Sequence, residues 1–170
     1  MRLSEGKINL RLLETKDKKA LAVLANNKNI FDNLRDFFPH PYTENDAADF
    51  IAFTQNEKPS VTFAIECDGQ LCGVAGLVPQ HDVYRQSAEI GYWIGEPFWN
   101  KGIATTAVKL LTDYGLNQLD FVRIYTGIFE YNQASMRVLE KNGYQKEAVF
   151  KKAIIKSGTI WDEHRYAKVK

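Results

Sequence analysis

"SAEIGYWIGEPFWNKGIATTAV", residues 87–108, decides the fold. Its opening residues alternate, with Ala88, Ile90, Tyr92 and Ile94 on one side of an extended strand and Glu89, Gly91 and Trp93 on the other. Pro97, Phe98 and Trp99 close the apolar run, and the period then becomes helical, with Ile103, Ala107, Leu110, Leu111 and Tyr114 on one stripe. A strand, a tight loop and a glycine opening a helix together make an anion site, because free backbone N–H groups meet the positive end of the helix dipole there. Gly102 lets the backbone approach a phosphate with no Cβ in the way, Ala104 keeps the next turn slim, and Lys101 adds charge. The spacing is too short for a Walker loop and lacks a full G-x-G-x-x-G, so the stretch alone reads more readily as a plain glycine helix start than as a phosphate site.

Upstream, Ile8, Leu10 and Leu12 alternate with polar residues as a strand, and Thr15 and Asp17 signal a helix over "KKALAVLANN". "NIFDNLRDFF" predicts another short helix, and "PHPYT" breaks it. Thr43 then caps a helix with Asp46 at its third position. "VTFAIECDGQLCGVAGLVP" reads as a hairpin about Asp68-Gly69, which makes residues 87–95 the third strand of a β-meander. Downstream come a strand "VRIYTGIF", a helix "NQASMRVLEKNGY" ended by Asn142-Gly143, and a closing hairpin turned at Ser157-Gly158.

A chain of 170 residues with no repeat, low-complexity tract or linker predicts a single domain over 1–170. Its 22 Lys and Arg nearly cancel 21 Asp and Glu, and a net charge of +1 argues against nucleic acid or an anionic membrane as a direct partner. No apolar run approaches the roughly 20 residues a bilayer requires, and "MRLSEGKINLRLLETKDKK" has no signal-peptide core, so a cytoplasmic protein is expected. Cys67 and Cys72 flank the hairpin turn on one face and read as buried, reduced thiols. His40, His81 and His164 are too scattered for a ligand set, so no metal is expected.

The 87–108 stretch, followed by "VRIYTGIFEYNQASMRVLEKNGYQKE", strongly resembles the GNAT superfamily of acetyl-CoA-dependent N-acetyltransferases, in particular the branch typified by ribosomal-protein N-terminal (alanine/serine) acetyltransferases. The resemblance runs from "INLRLLETKD" to "SGTIWDEHRYAKV". It implies an α/β (α+β) fold: a mixed, mostly antiparallel twisted sheet of about seven strands, splayed between the fourth and fifth, with helices on both faces. Acetyl-CoA (coenzyme A) would be the co-substrate. The family's Q/R-x-x-G-x-G/A signature falls on Trp99 to Ala104, with Trp99 departing from the usual Gln or Arg. The resemblance assigns Asn100, Lys101, Gly102, Ile103, Ala104, Thr105 and Thr106 to the diphosphate, and main-chain groups of Tyr92, Trp93 and Ile94 to the pantetheine arm; the reaction also needs an oxyanion donor, expected from the main-chain N–H of a splayed-strand residue around Trp93 or Ile94. The family's N-x-x-S matches Asn132, toward the pantetheine amide, and Ser135, toward the sulfur; Leu139 stands where many members carry an acid tyrosine. The bland alternative makes Asn132 only an N-cap.

The resemblance also favours Glu89 as general base, an acid in the middle of an apolar strand; the competing reading has Glu89 only pairing with Arg85, Arg123 or another cation. Asp162 and Glu163 on the closing hairpin are alternative acids. Phe37, Phe38, His40 and Tyr42 either line the acceptor groove or close the core. The acceptor would be a primary amine, of a protein or peptide N-terminus or of a small molecule such as an amino acid, antibiotic or polyamine. The protein would act as a monomer or homodimer; a silent coenzyme A binding module is the remaining alternative.

Overall fold

The computed structural model describes residues 1–170 and contains one eight-stranded sheet. Its strands are β1 (Arg2–Glu5), β2 (Ile8–Arg11), β3 (Thr62–Cys67), β4 (Gln70–Pro79), β5 (Ser87–Ile94), β6 (Arg123–Phe129), β7 (Gln145–Lys156) and β8 (Thr159–Val169), in the spatial order β1-β2-β3-β4-β5-β6-β8-β7. Every neighbouring pair is antiparallel except β5 and β6. The expected seven strands are all present, and the eighth is β1, which folds back on β2 and leaves most of its side chains exposed. The splayed pair is therefore β5 and β6. Their parallel register covers only Ser87–Glu89 against Arg123–Tyr125; beyond it β5 stays with β4 and β6 with β8, which opens a wedge in the sheet.

The helices are α1 (Lys18–Ala25), α2 (Lys28–Phe31), α3 (Glu44–Gln55), α4 (Ile103–Asn117) and α5 (Gln133–Lys141). Two apolar clusters sort them onto opposite faces. Leu111 and Val108 of α4 and Leu139 and Met136 of α5 pack with Phe63, Leu77, Ile90 and Ile124. On the other side Leu21 of α1 and Ala47 and Ile51 of α3 pack with Ala64 and Val74. The strands between them are buried on both faces, which explains why β3 and β4 read as nearly continuous apolar runs.

Local signals end the elements as their chemistry requires. Thr43 accepts from the Asp46 amide and Asp46 accepts from the Thr43 amide, a full capping box for α3. Asp68-Gly69 and Ser157-Gly158 all take positive φ, as a two-residue hairpin of this type demands. The helix expected over "NIFDNLRDFF" is only the short α2, capped by the Asn27 side chain and giving way to turns after Phe31.

Arg11 anchors β2 to the chain around it, donating twice to Asp17 (2.7 and 2.9 Å) and through Nε to Glu66 (2.7 Å), with both acids buried. The two cysteines are free; a bulge in β4 turns Cys72 into the α4-side cluster, against which Cys67 also packs. Burial pushes the Cys72 thiol up to about 11, so it stays protonated and inert. No helix is long and apolar enough to cross a membrane.

Candidate active site

The loop between β5 and α4 has the form the sequence suggested. Asn100 and Gly102 both sit in left-handed conformation (φ 60° and 75°), Gly102 is the N-cap of α4, and a Cβ there would meet nothing within 4 Å. The amides of Lys101, Gly102, Ile103, Ala104 and Thr105 take no acceptor within the protein. Consecutive free amides around two left-handed residues form a concavity suited to an anion. The run is one residue shorter than expected, because the Thr106 amide already donates to the Gly102 carbonyl (3.2 Å) and so cannot serve a diphosphate. Lys101 bends back to the Pro97 carbonyl (3.0 Å) and lies over the Phe98 ring.

The edge of β5 that faces the wedge follows from alternation along an antiparallel strand. Gly95 N–H donates to Cys72 and Ser87 carbonyl accepts from Gln80, so the odd-numbered residues point their main chain toward β4. Tyr92 and Ile94 therefore turn theirs toward the wedge. Trp93 does not: its N–H and C=O face Val74, which removes it from the expected contacts with the pantetheine arm and from the oxyanion donors. The Trp93 side chain packs instead on the α1 and α3 side against Phe38. Trp99 also acquires a role, its indole N–H donating to the Ile94 carbonyl (2.6 Å) and leaving the Ile94 amide as the free group there.

From the α4 and α5 side, Asn132 and Ser135 approach the same strand. Asn132 Oδ1 accepts from the Ser135 amide (3.2 Å) and caps α5, so the bland reading of Asn132 holds for its oxygen, while its amide NH₂ keeps no protein partner. Ser135 Oγ lies 2.7 Å from the Tyr92 hydroxyl. Loss of solvation pushes that phenol well above the ordinary tyrosine range, opposed in part by the bond to Ser135. Leu139 is fully buried in the core and offers no acid.

The opposite face of the wedge is charged. Glu89 is largely covered and pairs with the half-exposed Arg35, a partner outside the two arginines that the sequence suggested. Register settles the parity of the alternative acids: Glu163 pairs with Phe129, and Glu89 with Tyr125, so all four share one face. The Glu163 carboxylate lies so close over Gly127 that a Cβ at 127 would come within 2.3 Å of it, and Arg165 holds it at 2.6 Å. Asp162 points to the other face, where Lys151 and the Lys152 amide bind it and keep its carboxyl below the usual range. Asp162 is thus no partner for Glu89.

The four expected acceptor residues divide. Tyr42 is buried at 6% exposure in the α1–α3 cluster, so it belongs to the core rather than to a groove. Phe38 packs at the edge of that cluster on Tyr42 and Trp93. Phe37 is 83% exposed and faces solvent. His40 stacks on Phe31 (5.1 Å). The residues that bring this segment across to the splayed strands were not apparent in the sequence. Besides Arg35 to Glu89, Asp36 accepts from the buried Lys156 at the end of β7 (2.7 Å), Lys156 lies over Phe31, and the Tyr131 hydroxyl donates to the Asp32 carbonyl. Residues 31–36 are thereby tied to β5, to the β6–α5 connection and to the β7–β8 hairpin.

Residues 7–145 match the family described as Acetyltransferase (GNAT) domain. "Probable N-acetyltransferase YjcK" of Bacillus subtilis is 38% identical over 98 residues, covering 58% of this chain and 54% of that protein's own length. "Spermidine N(1)-acetyltransferase" of Escherichia coli K12 is 31% identical over 148 residues (85% and 76%), and "Putative ribosomal N-acetyltransferase YdaF" of Bacillus subtilis is 30% identical over 168 residues (96% and 91%). Among solved structures, an acetyltransferase (GNAT family) from Bacillus anthracis superposes with a TM-score of 0.85 at 25% identity, covering 99% of this chain and 98% of that one. The microcin C7 self-immunity acetyltransferase MccE, in complex with acetyl-CoA and AMP, superposes with a TM-score of 0.82 at 25% identity (98% and 94%).

Proposed function

The chain belongs to the GNAT acetyltransferase family and is an acetyl-CoA-dependent N-acetyltransferase; from that premise we propose that its acceptor is the α-amine of a protein or peptide, handled by a single catalytic domain in the cytoplasm. The observation that carries the mechanism is the wedge between β5 and β6, with a carboxylate on one face and a serine hydroxyl on the other.

In this reading the free amides from Lys101 to Thr105 hold the coenzyme A diphosphate, and the wedge-facing main chain of Tyr92 and Ile94 lies along the pantetheine arm. Glu89 takes the proton from the attacking amine, the Ile94 or Tyr92 amide donates to the developing oxyanion, and Ser135 donates to the departing sulfur. An alkyl thiol resembles cysteine, with pKa near 8.5, so a hydrogen bond suffices for it without full proton transfer.

Two arguments favour an α-amine. An amine with pKa near 8 is roughly 10% neutral at pH 7, whereas a lysine-like amine near 10.4 is neutral in about four parts in ten thousand, a deficit of about 3 kcal/mol more for the base to offset. Arg35 also stands beside Glu89, and a guanidinium there repels a polycation but can donate to a peptide carbonyl or acidic side chain. A second reading, a small polyamine, is favoured by the likeness to a spermidine acetyltransferase and by Asp36 and Glu163 near the same groove. Thiol release from acetyl-CoA, measured with peptides of varied N-terminus against spermidine and other small amines, separates the two. Turnover on small amines alone would sink the peptide assignment, and coenzyme A binding with no thiol release on any amine would sink catalysis.

A further inference from the structure

Ser135 is held at two points. Its amide is fixed by Asn132, and its hydroxyl meets the only side-chain partner it has, Tyr92. The Tyr92 oxygen is 2.7 Å from Ser135 Oγ and 3.3 Å from the Ser135 carbonyl. The first is an ordinary O–H···O length and the second a long one. A phenol, with an ordinary pKa near 10, is a far stronger donor than an aliphatic alcohol. Either oxygen can donate across the 2.7 Å contact, and the phenol has one hydrogen to place; its greater acidity and the shorter distance favour donation to Ser135 Oγ over donation to the Ser135 carbonyl.

We propose that Tyr92 is the positioning residue for Ser135: by donating to Oγ from the core side it leaves the serine hydrogen free for the leaving sulfur. This rests on the reading of Ser135 as the sulfur's donor. Without Tyr92, the serine hydrogen would turn toward other acceptors, and the sulfur would lose a prealigned donor. Tyr92 is not itself a proton source. Desolvation holds its phenol protonated, and passing the proton on would leave a phenolate against the apolar core. During transfer the new N–C bond forms, Glu89 takes the amine proton, and the C–S electron pair goes to sulfur; the serine hydrogen is bonded to that thiolate while Tyr92 keeps its own.

The test is Tyr92→Phe, Ser135→Ala and the double variant, assayed for kcat, KM for acetyl-CoA and Tm with one accepted amine. Phe removes one oxygen and preserves the ring's packing, so the protein should fold, and Tm checks that it does. Tyr92→Phe should lower kcat about 5- to 10-fold, the scale of one neutral hydrogen bond, with KM changed less than twofold. In the Ser135→Ala background the same substitution should cost nothing further. An equal loss in both backgrounds, or a wild-type kcat in Tyr92→Phe, overturns the positioning role while leaving Ser135 in place. A wild-type kcat in Ser135→Ala overturns the reading of Ser135 itself and this inference with it.

Discussion

Glu89 and Tyr92 lie three positions apart on β5 and leave it by opposite faces, Glu89 toward Arg35 and Tyr92 toward Ser135. An odd separation along a strand always has this effect. Here it puts a carboxylate and a tyrosine–serine hydroxyl pair on the two sides of one wedge; in the proposed mechanism the amine would enter by one face and the thiol would be retained at the other.

If Glu89 is the base, Glu89→Gln should lower kcat by about 100-fold or more, the usual scale of general-base loss. Calorimetric affinity for coenzyme A should be unchanged, since the free amides lie at the far end of the strand. Glu163→Gln should reduce turnover far less. The opposite ranking would move the base from β5 to β8, whose acid shares the same face.

Gly102 tests the anion cradle. With φ at 75° and open space where a Cβ would go, Gly102→Ala fits sterically but carries left-handed strain of about 1–2 kcal/mol. The added methyl also stands among the free amides. KM for acetyl-CoA should rise about 10-fold or more, equivalent to about 1.4 kcal/mol, while kcat at saturation stays near wild type. A drop in Tm with unchanged affinity would mean that the diphosphate binds elsewhere.

The Arg11 network predicts an acid limit to stability. Burial alone would raise Asp17, but Arg11 and the Glu14 amide more than offset it and hold the carboxyl below its ordinary 3.8; Glu66, bonded first by Arg11, is held below its ordinary 4.5. Depressed carboxyls bind protons less tightly when folded. Their contribution is complete above the unfolded values and is lost as pH falls through the lower folded ones. Tm should hold above about pH 5 and fall progressively below it. Arg11→Met leaves the buried Asp17 carboxylate with no cation, while Glu66 keeps Arg2 (2.6 Å), and should cost about 3 kcal/mol or more at pH 7, with part of the loss recovered in acid as Asp17 protonates. A variant that is most stable at neutral pH would contradict this.

What was legible in the sequence was local. The Thr43–Asp46 box, the Asp68-Gly69 and Ser157-Gly158 turns and the Asn132–Ser135 cap each depend on residues within a few positions, and each is present. What was hidden depends on strands meeting. Arg35 and Glu89 are 54 residues apart, Tyr92 and Ser135 43, and Asp36 and Lys156 120. No periodicity reports such distances. Trp93 was misplaced for a related reason: side-chain alternation is visible in "YWIG", but which main-chain groups face the wedge depends on the register of β5 on β4. β1 escaped because a short exposed strand carries no apolar alternation.

Arg35 provides the sharpest test of the acceptor. Its guanidinium is more than half exposed at the rim and touches the carboxylate that would receive the amine's proton. A peptide N-terminus brings a carbonyl next to its amine, and Arg35 can donate to that carbonyl while remaining near Glu89; a polyamine brings only further positive charge. Arg35→Ala should therefore raise KM for a peptide about 10-fold, the scale of one hydrogen bond from a charged donor. With spermidine the same variant should show an unchanged or lower KM, because a repulsive charge has gone. Raising ionic strength should weaken the spermidine effect much more than the peptide effect, since repulsion across solvent is screened and a direct hydrogen bond is not. A parallel loss on both amines would instead mean that Arg35 only keeps Glu89 in place, and the preference for an α-amine would lose its structural support.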